Sequence, residues 1–179
     1  RFTANEGGSI SIPNATTLAN GRITIDGIGS AVNLPALTSF DLTRVVLSGG
    51  AVFVLPSTVT AYSSSGGNGI NEKRTVFSAT GANTRLDLSS LTSVEGVFSG
   101  LGGLSQLVVA EEGAIIDMSN VETITGGGRG ANGGGPYELR TNTGGAIDLT
   151  SLTTLDGENA GIRITDNAGT MTFDQLVTA

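Results

Sequence analysis

GGAIDLTSLTTL (144–155) is one of seven copies of a phrase made of a glycine-rich turn, an apolar–polar–apolar strand and an L-T-x-L-like stretch. The others read GGSISIPNATTL (7–18), GSAVNLPALTSF (29–40), GGAVFVLPSTVTAY (49–62), GANTRLDLSSLTSV (81–94), EGAIIDMSNVETI (112–124) and AGTMTFDQLVTA (168–179). A phrase that recurs roughly every 20–50 residues marks a solenoid, because one such unit cannot bury its apolar face alone.

The second apolar residue of each strand serves as an anchor: Ile12, Leu34, Leu55, Leu88, Met118, Leu149 and Phe173. Two residues earlier stand Ile10, Val32, Phe53, Leu86, Ile116, Ile147 and Met171, with mostly polar residues between. This is period-two alternation, one face inward and one toward solvent. Three and six residues past the anchor the apolar positions return, as in Leu37 and Phe40 or Leu152 and Leu155. The copy at 49–62 carries one extra residue after Pro56, a local bulge that moves its pair to Val59 and Tyr62.

A further strand follows each phrase, usually opened by arginine: RFTA (1–4), RITI (22–25), RVVL (44–47), RTVF (74–77), QLVV (106–109), ELRT (138–141), RITD (163–166). From opener to next anchor the offsets are 11, 12, 11, 14, 12, 11 and 10 residues, close to constant. Between phrase end and next opener they are 3, 3, 11, 11, 13 and 7, so length variation concentrates at one corner (62–74, 95–106, 125–138, 156–163). Insertions there cost only loop-closure entropy. YSSSGGNGINEK and TGGGRGANGGGP within it read as flexible surface loops. The expectation is a single all-β array over 1–179: a right-handed parallel β-solenoid of about seven coils.

Composition narrows the chemistry. The charge is −7, from sixteen acids and nine bases, which speaks against nucleic-acid binding. Without cysteine or histidine there is neither a thiolate metal site nor the commonest general base. No apolar run approaches the ~18–20 residues that span a bilayer. The opening at Arg1 reads as a processed chain or an excerpt.

Solenoids turn one repeat position into a row. Arg1, Arg22, Arg44 and Arg74 are expected at one outward position, paired with acids such as Asp26 or Glu72, or offering a strip to an anionic polysaccharide. Asp87, Asp117 and Asp148 form a carboxylate row, either a solvated face or a weak candidate for Ca²⁺; no cofactor is otherwise expected. Thr16, Thr38, Thr60, Thr92 and Thr153 form a hydroxyl row. Phe2, Thr3 and Ala4 at one end, and Met171, Phe173 and Leu176 at the other, belong to complementary half-coils. Such ends fit either a longer array or head-to-tail stacking of copies into a filament. Neither end shows a charged or polar cap.

GGAIDLTSLTTLDG, RLDLSSLTSVEG and AVNLPALTSF, each followed by an R-I-T-I-like strand, resemble the repeats of very large bacterial extracellular and autotransporter-like surface proteins. The resemblance implies an extracellular or cell-surface structural or adhesive solenoid and carries over no catalytic residues. A carbohydrate-binding or polysaccharide-degrading β-helix is the alternative. Catalysis would need clustered carboxylates in an aromatic-rimmed groove, and the chain has two tyrosines and no tryptophan.

Overall fold

The computed structural model describes residues 1–64, 74–99, 106–129, 135–157 and 161–177. These residues form strands and turns with no helix, and every strand pairing is parallel. Three flanks surround one apolar core. The first flank is a seven-stranded sheet of β1 (Phe2–Asn5), β3 (Arg22–Asp26), β5 (Arg44–Ser48), β8 (Arg74–Thr80), β11 (Gln106–Glu111), β14 (Tyr137–Asn142) and β17 (Ile162–Asn167). On the second lie β2 (Ser9–Ser11) and β4 (Ala31–Asn33), then a separate sheet of β6 (Val52–Val54), β9 (Arg85–Asp87), β12 (Ile115–Asp117), β15 (Ala146–Asp148) and β18 (Thr170–Thr172). β7 (Ala61–Ser63), β10 (Ser93–Ser99), β13 (Thr123–Arg129) and β16 (Thr154–Gly157) make the third.

The alternation sets the core. Leu86, Ile116, Ile147 and Met171 stack in register, and the anchors Leu88, Met118 and Leu149 are fully buried in the same cluster. After each anchor the chain turns tightly, with Leu37 N–H donating to Leu34 O, Leu91 to Leu88, Val121 to Met118 and Leu152 to Leu149, at 2.9–3.1 Å. In the copy with the extra residue the same bond runs from Val59 to Pro56, one residue late, and Val59 and Tyr62 are buried as expected. Phe40, Tyr62 and Phe77 meet there, with the Tyr62 and Phe77 ring centroids 4.8 Å apart.

In four coils the glycine-rich corner is a mirror-image turn with positive φ at both central residues, Glu6–Gly7, Gly49–Gly50, Glu112–Gly113 and Thr143–Gly144. Asn142 O accepts from Gly145 N–H at 3.0 Å across Thr143 (φ 47) and Gly144 (φ 77), and Glu111 O accepts from Ala114 across Glu112 (φ 55) and Gly113 (φ 79). That conformation suits glycine and strains a side chain with a Cβ. Beside it, Asn5, Asp26, Ser48, Thr80, Glu111, Asn142 and Asn167 align in one outward column. Ser48 Oγ donates to Asp26 (2.6 Å), Asn142 Nδ2 to Glu111 (2.5 Å) and Asn167 Nδ2 to Asn142 (3.0 Å).

Three expectations change. Part of the variable corner is strand: Glu95–Ser99 pairs residue for residue with Thr125–Arg129, so the first glycines of TGGGRGANGGGP are sheet rather than loop. Residues 65–73, 100–105, 130–134 and 158–160, which hold the rest of that corner and Glu72, lie outside the described residues. In the described strands of this corner, glycine is required by packing. Gly96, Gly126 and Gly157 form one inward column, and a Cβ at Gly126 would stand 2.5 Å from Tyr137 Cβ. Tyr137 fills that space, fully buried.

The second change concerns pairing of every strand with its equivalents above and below. No ladder joins β4 to β6 among the described residues, although β3 and β5 stay paired on the neighbouring flank. The third concerns the ends. The inward column Ala4, Ile25, Leu47, Ala79, Ala110 continues into Thr141 and Asp166. Thr141 Oγ1 and Gly169 N–H both donate to Asp166 Oδ1 at 2.8 Å. β17 therefore does carry a charged, inward-pointing residue, a device that blunts a strand edge.

Candidate functional site

The arginine row is shorter than its spacing suggests. Arg22 and Arg44 are partners in register, and Arg1 sits exposed just before β1. Arg74 is out of line: Phe77, three residues past it, pairs with Val45, which is only one residue past Arg44. Thr75 and Phe77 face Leu107 and Val108 in turn, so Val76 is the extra residue of a bulge. Arg44 Nε donates to Thr75 O at 2.9 Å. The expected pairing with Asp26 is not among the ion pairs of the described residues; that carboxylate accepts from Ser48, and Arg22 Nε is buried without a hydrogen-bond partner. The cationic row is thus interrupted before Arg74, with Arg22 and Arg44 stacked in register.

The aspartate row is in register across β9, β12 and β15. Each carboxylate shapes its own turn: Asp87, Asp117 and Asp148 Oδ1 accept from the backbone N–H of Ser89, Ser119 and Thr150, all at 3.1 Å. Arg85, which the sequence reading passed over, neutralises two of them. Its Nη2 lies 2.5 Å from Asp117 Oδ2 and 3.7 Å from Asp87 Oδ2. Its signal was available, since a residue two before Asp87 on a strand shares its face. Among the described residues no three acids are grouped so as to hold a metal ion.

The threonine row holds coils together. Thr38 Oγ1 donates to Thr16 O (3.0 Å), Thr92 Oγ1 to Thr60 O (3.1 Å) and Thr153 Oγ1 to Glu122 O (3.0 Å). At the ends Phe2, Met171, Phe173 and Leu176 are half-buried against the core, while Thr3 is exposed and Ala4 already buried.

Next to the aspartate row runs an open groove of about 730 Å³ that no sequence pattern announced. Its wall is the displaced turn Val54–Ser57, where the extra residue sets the chain one position out of step with the turns beyond. Ser90, Asn120 and Ser151, equivalent by register, form its floor, with Thr92 and Glu122 along the rim. Asn120 Nδ2 donates to Ser89 O at 2.7 Å, which holds its amide in place.

Among the described residues there is no helix long and apolar enough to cross a membrane. No family model matches the sequence, and neither a curated protein nor a solved structure matches it.

Proposed function

We propose that this chain is a structural or adhesive element of a bacterial surface or extracellular matrix: a right-handed solenoid of about seven coils, extended at its ends by further coils, either of copies stacked head to tail or of a longer array. The observation that carries this reading is the half-buried apolar rim at both ends. Phe2, Ile10, Ile12 and Leu18 lie at one, and Ile162, Met171 and Phe173 at the other, each packed on the core and open on its far side. A further coil would cover them and satisfy the outer edges of β1 and β17, as each internal coil does for its neighbours. Asp166 opposes this stacking, since Ala4 of the next copy would have to cover a charge.

Sedimentation velocity and electron microscopy test the reading. Asp166→Val should shift the chain toward rods relative to the parent. Asp166→Asn, which keeps an acceptor for Thr141 and Gly169, should do so to a smaller degree. Folded monomers of all three at every concentration would refute the stacking.

Carbohydrate binding is the second reading, favoured by the groove. Binding is preferred to cleavage because Glu122 is the only acid among the described residues that line it, whereas glycosidic hydrolysis ordinarily takes a pair.

A further inference from the structure

We propose that the groove beside Pro56 binds a linear, uncharged glycan laid along the solenoid axis. This rests on the carbohydrate-binding reading and is independent of end-to-end stacking.

The shape comes from one inserted residue. In five other coils the turn bond closes on the anchor carbonyl, and in this coil it closes on Pro56, so Pro56 and Ser57 stand as a step at one end of the channel. Beyond the step the register places one small polar side chain per coil on the floor: Ser90, then Asn120, then Ser151. The coils repeat about every 4.8 Å along the axis, on the order of one sugar ring. An extended glycan can therefore meet Asn120 and then Ser151 at successive rings, while the Ser90 hydroxyl is buried beneath.

The lining chemistry selects the class. Among the described residues Ser57, Ser151 and Glu122 make no hydrogen bond through their side chains, and the Asn120 amide nitrogen is engaged while its carbonyl oxygen accepts none. Together they offer donors and acceptors without a fixed polarity, as sugar hydroxyls require. Val54, 59% exposed, and Pro56 supply an apolar patch for the C–H face of a ring. Among the described residues no lysine or arginine lines the groove and Glu122 is its one acid, so the lining carries negative charge. Phosphate, sulfate and uronate chains are repelled here, which separates this surface from the Arg22–Arg44 pair.

The test titrates isotope-labelled protein with two probes, a β-1,4-linked glucose hexasaccharide and its galacturonate counterpart, while backbone amide shifts are followed. The neutral probe should move residues 54–57, 89–92, 120–122 and 151. Ser151→Trp, which fills the floor, should weaken that binding by at least about tenfold, the equivalent of ~1.4 kcal/mol. Glu122→Gln should weaken it less, with both variants keeping the parent's circular dichroism. Failure of both probes at millimolar concentration overturns the carbohydrate reading itself. Binding of only the galacturonate probe, or shifts confined to the Arg22–Arg44 face, would leave that reading standing and overturn this assignment.

Discussion

Replacing Tyr137 by Phe removes one oxygen and should make the protein more stable. The ring of Tyr137 is fully buried in the space opened by Gly96 and Gly126, and its hydroxyl has no hydrogen-bond partner. The contrast is Tyr62, whose hydroxyl donates to Thr43 O at 3.1 Å. A buried hydroxyl left unpartnered costs about 1–3 kcal/mol, which the phenylalanine does not incur. For a chain of this size each kcal/mol moves the melting temperature by about 2–4 °C. Burial also raises the Tyr137 pKa well above its ordinary value of 10.0. Below pH 10 the phenol is protonated in both folded and unfolded states, and stability is independent of its titration. Above pH 10 the unfolded chain releases this proton while the folded one retains it, so stability falls by about 1.4 kcal/mol per pH unit. Urea unfolding of both proteins from pH 7 to pH 11.5 measures the two effects. Tyr137→Phe should gain stability at pH 7 and lose this component of the alkaline decline. A less stable variant, or one with an unchanged alkaline slope, would refute the reasoning.

Two further substitutions probe the backbone. Thr143→Gly relieves a β-branched residue at φ 47 and should raise stability by about 1 kcal/mol, read from the urea midpoint. Gly126→Ala drives a Cβ against Tyr137 and should cost about 1–3 kcal/mol. Combining it with Tyr137→Val should restore part of that loss, whereas strict additivity of the two would argue against the contact.

Much of this architecture is written in the repeats. Leu86, Ile116 and Ile147 fall in one column because period-two alternation leaves each strand one way to face inward. The bulge at Val76 was also signalled, as the 14-residue offset in that coil against 10–12 elsewhere, although the shared arginine opener masked it. Gly96, Gly126 and Gly157 recur two residues after Val94, Ile124 and Leu155, an inward phase easily mistaken for loop composition. The groove was not legible, because it arises from a difference between adjacent turns rather than from any residue type. Asp166 at a core column was likewise hidden: its neighbours in sequence look like an ordinary outward turn, and only the register reveals its direction.

The gap between β4 and β6 has a mechanical consequence. Tension along the rod is borne by interstrand ladders acting in parallel around the perimeter, and at this one level a flank contributes none. The neighbouring flank holds through β3 and β5, and the third through bonds such as Leu42 N–H to Ser63 O and Ser63 N–H to Asp41 Oδ1, both 2.8 Å. Under load the first two coils should detach together, leaving the rest of the rod standing, so the molecule carries its own fracture plane near one end.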